Sequence, residues 1–108
     1  IQLMQDPATR PTAIITGNTM LAKGVYEALG ALSLAIPQDV SVVAHDDLLP
    51  EPETAAMHPP LTVTESALHL SWDPLARLLV EALGGEGVEK LQVIGDVDFK
   101  ERVSTAAL

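Results

Sequence analysis

Apolar residues along this chain change their spacing several times, and each change marks an element. Ala13-Ile14-Ile15-Thr16 is a short apolar run between Pro11 and Gly17, the pattern of a buried strand. Gly17-Asn18-Thr19 supplies a turn and a helix N-cap, with Asn18 or Thr19 able to act as the cap. Met20, Leu21, Gly24, Val25, Ala28, Leu29 and Leu32 then recur at helical spacing. They predict a helix to about Ser33 with those residues on its buried face, and with Lys23 and Glu27 off it. Before all this, Ile1, Leu3 and Met4 read as a helix end. Asp6-Pro7 and Arg10-Pro11 follow as a turn, because the residue before a proline is pushed away from the helical region.

A second β-rich run, Val40 to Ala44, follows the turn at Ile36-Pro37-Gln38-Asp39. A strand, a helix and a strand in so short a span imply a right-handed βαβ unit and a parallel sheet. His45 to Pro60 reads as a loop, rich in proline and holding Asp46 and Asp47. In such sheets the loops at the C-terminal ends of the strands meet the ligand. Leu61 to Thr64 is a third strand. Ser71, with Pro74 in the first turn, opens a second helix whose buried stripe is Leu75, Leu78, Leu79, Ala82 and Leu83. Gly84-Gly85 ends it. Leu91 to Ile94 and Phe99 to Val103 read as two further strands, divided by Gly95-Asp96-Val97-Asp98.

Composition narrows the function. The 108 residues are 47% hydrophobic, enough to build a core, so a disordered chain is excluded. Fifteen acidic residues face six basic ones, Arg10, Lys23, Arg77, Lys90, Lys100 and Arg102, which are scattered along the chain. Scattered cations do not neutralise a run of phosphates, so this piece is not expected to touch nucleic acid. No apolar run is long enough to span a bilayer and no stretch reads as a secretory signal. With no cysteine either, the expectation is a cytoplasmic protein. The chain opens at Ile1 and is expected to be a processed or excerpted part of a longer protein.

The order of motifs is more telling than any one of them. Arg10-Pro11-Thr12-Ala13-Ile14 leads to Asn18, a helix, Ile36-Pro37 and Asp39-Val40-Ser41-Val42-Val43. Asp46-Asp47, Pro59-Pro60-Leu61-Thr62 and Arg102-Val103-Ser104-Thr105 complete the series. From about Arg10 to its end the chain resembles the C-terminal half of the effector domain of the LacI/GalR family of bacterial transcriptional regulators. The resemblance implies a periplasmic-binding-protein-like (type I) α/β fold with a parallel sheet, here only its C-terminal portion. Residues 1–65 and 97–108 would form the C-terminal lobe, and 66–96 would cross to the N-terminal lobe. It also implies a small-molecule effector, a sugar or polyol, held between two lobes. The helix after Asn18 would form a homodimer, and DNA would be bound only through a helix-turn-helix head that precedes this piece. No cofactor is implied. The alternative is a fragment of a periplasmic-type sugar-binding transport protein, which shares the two-lobed fold. Four positions depart from the family habit: Thr19 replaces an Asp, Ser33 and Trp72 replace glycines, and His45 replaces an aromatic residue. The loop from Asp47 to Pro59 is also longer.

Asp46 matches the first Asp of the family's pair, which often contacts the effector. A carboxylate suits this work because both oxygens accept and one group holds two neighbouring hydroxyls. The competing reading is an Asp that braces its own turn, and Asp47 is given that role. Asn18 aligns with an effector-contacting position but is equally a good N-cap. Ser66, Leu68 and Ser71 align near positions that face the cleft, and Trp72 beside them offers an apolar face to a sugar ring. His45, His58 and His69 match no compact zinc spacing. No nucleophile elbow accompanies the His45-Asp46 pair, so neither a metal site nor an enzyme is expected.

Overall fold

The run at Ala13–Thr16 forms a strand over those residues, β1, and the chain turns at Asn18 into helix α1, Thr19–Ala31. Strands β2 (Ser41–Asp46) and β3 (Thr62–Glu65), helix α2 (Trp72–Leu83) and strand β4 (Asp98–Lys100) follow. Short 3₁₀ turns lie at Gln2–Met4, Thr54–Ala56 and Leu68–Ser71. The computed structural model describes residues 2–85, 87 and 92–107. One sheet runs in the order β1-β2-β3-β4. β1, β2 and β3 are mutually parallel, with Thr16 opposite Ala44 and Asp46 opposite Glu65. β4 is antiparallel to β3, so the sheet is mixed rather than purely parallel.

Val42, Ala44 and Asp46 alternate with Ser41, Val43 and His45 along β2, and the first set is the more deeply buried. The strand runs two residues beyond the predicted Ala44, so His45 and Asp46 belong to its end and not to the loop. α1 lies against β1 and β2. It turns Ala22 and Leu29 fully inward, with Val25, Tyr26 and Leu32 packed beside them. This corrects the predicted face, because Met20 and Leu21 are 61% and 58% exposed. The helix carries apolar residues on two sides, and periodicity alone does not choose between them. The choice falls to packing around Tyr26, whose hydroxyl donates to the Pro59 carbonyl at 3.0 Å. Burial pushes the Tyr26 phenol above its ordinary value, partly offset by the nearby Ser104 hydroxyl.

α1 ends two residues earlier than predicted, in a Schellman motif. The Leu34 amide donates to the Leu29 carbonyl and the Ser33 amide to the Gly30 carbonyl, at 2.9 and 3.0 Å. Ser33 is left-handed, with φ of 57°, which explains why glycine suits this position.

The last residues return into the sheet. Strand β4 stops at Lys100, short of the predicted Val103, because Arg102–Thr105 leaves the ladder and wedges between the starts of β2 and β3. The Ser104 hydroxyl, fully buried, donates to the Val42 carbonyl at 2.6 Å and accepts from the Thr62 amide at 2.7 Å. Its backbone continues the same bridge: its carbonyl accepts from the Val42 amide and its amide donates to the Pro60 carbonyl.

α2 begins at Trp72 with Ser71 before it, and ends at Gly84 as predicted. Its apolar stripe is not buried. No residue of α2 is buried, and Leu75, Leu79, Val80 and Leu83 stand open. The radius of gyration is 17.9 Å, against roughly 13 Å for a compact domain of this size. The strand predicted at Leu91–Ile94 is not formed over Gln92–Ile94, and Leu91 lies outside the described residues.

Two substitutions test this account. Ser104→Ala leaves a buried amide and a buried carbonyl short of a partner and is expected to cost about 1–3 kcal/mol, seen as a lower urea midpoint. Ser33→Gly relieves the left-handed strain and is expected to raise stability by about 0.5–1 kcal/mol, seen as a higher urea midpoint. An unchanged or lower value would remove the Schellman explanation.

Candidate functional site

Parallel strands deliver their C-terminal ends to one edge of the sheet, and there the chain places Asn18, Asp46 and Ser66. Asp46 is 6% exposed. Its Oδ1 accepts from the Leu48 amide at 2.9 Å, and its Oδ2 from the Thr54 hydroxyl at 3.0 Å. The first bond is the turn-bracing contact weighed from the sequence. It holds Leu48 at a φ of 55°, rare for a bulky residue and a mark of stored strain.

The remaining predicted residues fall into three groups. Asn18 caps α1, its side-chain oxygen accepting from the Leu21 amide at 2.9 Å, while Thr19 is buried beneath it. Ser66 and Leu68 adjoin the aspartate pair: the Ser66 amide donates to the Asp46 carbonyl at 3.0 Å and the Leu68 amide to the Asp47 carbonyl at 3.3 Å. Ser71 and Trp72 lie further along, where α2 begins. The Trp72 ring is exposed and meets the His69 ring edge-on, with centroids 6.4 Å apart.

His45 ties the two strand ends together. Its Nδ1 lies 2.9 Å from Thr64 Oγ1, and its Nε2 lies 3.1 Å from Ser66 Oγ and 3.3 Å from Asp47 Oδ1. On the other side of β2 an open cavity of about 260 Å³ has Asp46, Thr54, Glu65 and Arg102 among its polar walls and Leu48 and Leu49 among its apolar ones. Of the six residues named from the sequence, Asp46 alone lines it. The Arg102 guanidinium spans the wall. Nη1 donates to the Leu61 carbonyl at 2.7 Å and approaches Thr54 Oγ1 at 3.4 Å, while Nη2 donates to Glu65 Oε1 at 3.1 Å. Thr54, Glu65 and Arg102 were missed because contacts across 37 to 48 residues leave no mark in local spacing. A second open cavity, about 270 Å³, lies beside α2 between Pro74, Arg77 and Val93.

Among the described residues no group of three or more His, Asp or Glu is placed to hold a metal ion, and no helix is long and apolar enough to cross a membrane. What the edge offers is a fixed carboxylate, hydroxyls and an amide beside an apolar rim.

A mixed α/β sheet carrying such an edge is that of a binding domain. Residues 1–105 match the model of the periplasmic binding protein-like domain. The chain belongs to that family, in the form carried by LacI-type transcriptional regulators. It is 34% identical over 104 residues to the HTH-type transcriptional regulator AglR of Rhizobium meliloti (strain 1021), covering 96% of this chain and 29% of that one. It is 41% identical over 83 residues to the ribose operon repressor of Escherichia coli (strain K12), covering 76% and 22%. With the lactose operon repressor of Rhizobium radiobacter it shares 36% over 81 residues, 75% of this chain and 69% of that protein. Among solved structures, a complex of the transcriptional regulator CelR with cellobiose superposes with a TM-score of 0.66 at 25% identity, covering 86% of this chain and 28% of that one. The chain thus spans less than a third of the first two relatives.

Removing the Arg102 guanidinium tests the wall. Arg102→Ala strands the Glu65 carboxylate and the Leu61 carbonyl and is expected to lower stability by about 2–3 kcal/mol. Arg102→Lys, which keeps the charge without the fork, should lie between the two in urea unfolding.

Proposed function

We propose that this chain is the effector-sensing part of a LacI-type transcriptional regulator and that it binds a neutral sugar or polyol at the C-terminal edge of β1, β2 and β3. The observation that carries the reading is the Asp46 carboxylate, buried at the end of the central parallel strand and held still at both oxygens. An ionised carboxylate has about four acceptor positions, so two remain for neighbouring hydroxyls. Ser66 and the free amide nitrogen of Asn18 add a hydroxyl and a donor on the same edge. Leu68, Ser71 and Trp72 lie on the segment that leads away from it. The cellobiose bound to CelR supports a sugar as the ligand class.

In this reading residues 1–65 and 97–108 form one lobe, and 66–96 cross to the other. The open stripe of α2 supports the crossing, since an apolar face of this size calls for a cover. Met20 and Leu21, exposed on α1, supply an apolar face for pairing with a second copy. Sugar binding would close the lobes and reposition the paired subunits, and with them DNA-binding heads carried elsewhere in the protein. The ligand shifts this balance only through unequal affinity for the open and closed states.

A thermal-shift measurement on the full-length protein, with D-ribose, cellobiose and D-xylulose, tests the proposal. One of these is expected to raise the melting temperature with saturating dependence on concentration, and Asp46→Ala is expected to abolish the shift. Flat curves for all three sugars would sink the sugar assignment.

A further inference from the structure

A carboxylate holds two hydroxyls well only if its plane is fixed before they arrive, because ordering it on binding costs affinity. The two contacts that fix Asp46 differ in kind. The Leu48 amide lies two residues along the chain and travels with the same turn. Thr54 lies eight residues away in its own 3₁₀ turn, 5% exposed. That turn is held independently of Asp46. The Thr54 carbonyl accepts from the Leu61 amide at 3.0 Å, and Arg102 clamps the Leu61 carbonyl while its Nη1 approaches the Thr54 hydroxyl. Through these contacts the Thr54 hydroxyl refers the Asp46 carboxylate to β3 and to the returning C-terminal segment.

We infer that Thr54 is the positioning residue of the effector site: its hydroxyl sets the plane of the Asp46 carboxylate and so selects which pair of ligand hydroxyls the site accepts. The inference rests on the reading of Asp46 as an effector contact. The ligand class it fits is a neutral sugar or polyol with adjacent hydroxyls. Thr54 donates its one proton to Oδ2 and does not touch the ligand. A side chain of the same shape without a hydroxyl leaves Asp46 in place but free to turn.

Titration calorimetry on the full-length protein tests this, using whichever of D-ribose, cellobiose or D-xylulose gives the thermal shift. Thr54→Val is expected to weaken binding of that sugar roughly tenfold, and Thr54→Ser to stay within about threefold of the parent. In an Asp46→Asn background, Thr54→Val is expected to cost nothing more, since a residue acting through Asp46 loses its effect when Asp46 is changed. A purely structural Thr54 would lower the melting temperature in both backgrounds while leaving the affinities of the parent and of Thr54→Val equal. That result overturns the inference, as does an equal loss of affinity in both backgrounds. If Thr54→Val does not fold, Thr54→Cys serves instead: its weaker donor should give an affinity between those of Thr54→Ser and the tenfold loss, and full affinity would overturn the inference. The two readings fail separately. An unchanged affinity in Asp46→Ala removes the effector role of Asp46 and this inference with it. Loss in Asp46→Ala beside parent-like binding in Thr54→Val removes the role of Thr54 alone.

Discussion

The return of the last residues into the sheet is the interaction on which the rest of this structure depends. Ser104 sits fully buried between β2 and β3, where one hydroxyl completes the hydrogen bonds of both strands. Two residues earlier, Arg102 uses the same excursion to reach Leu61, Thr54 and Glu65. The loop that carries the Asp46 contacts is therefore braced by a segment more than 40 residues away in sequence. Buried polar groups cost stability unless they are paired. Among the described residues no buried side-chain polar atom lacks a partner. The bridge thus ties β2 and β3 to the returning segment in the present register.

Much of the fold was legible along the chain because its first 65 residues are locally consistent. The strand at Ala13–Thr16, the helix behind Asn18, the turn at Pro37 and the strand at Thr62 each follow from propensity and spacing, and they agree with the parallel pairing that joins them. The misreadings share one physical cause. α1 has apolar residues on two faces, and long-range packing, with Ala22 and Leu29 in the core and Tyr26 reaching Pro59, marks the inward one. The stripe on α2 was read correctly as apolar but not as open, because periodicity shows what a face is made of and not what covers it. The strand at the C-terminus was cut short by the Ser104 wedge, a contact with no local trace.

The site was legible in part for the same reason. Asp46 stood out because it matches the first Asp of the family's pair, and its turn-bracing bond to Leu48 is the bland alternative realised. In the proposed reading, bracing and ligand binding do not compete. A carboxylate fixed at one lone pair of each oxygen still presents the other, and the fixed plane is what makes the remaining pair selective. Asn18 likewise caps α1 through its oxygen. Thr54, Glu65 and Arg102 belong to the same unit but come from three separate stretches of chain, so even the motif that contains Arg102 did not mark it as part of the site.

The central claim is that a sugar meets Asp46 while Thr54 and Leu48 still hold it. The most direct measurement is a crystal structure of the full-length protein with the sugar that stabilises it. The account predicts two adjacent sugar hydroxyls within hydrogen-bond distance of the Asp46 oxygens, with the Thr54 hydroxyl and the Leu48 amide in their present places. A sugar bound elsewhere, or an Asp46 that must release Thr54 to reach it, would contradict the account.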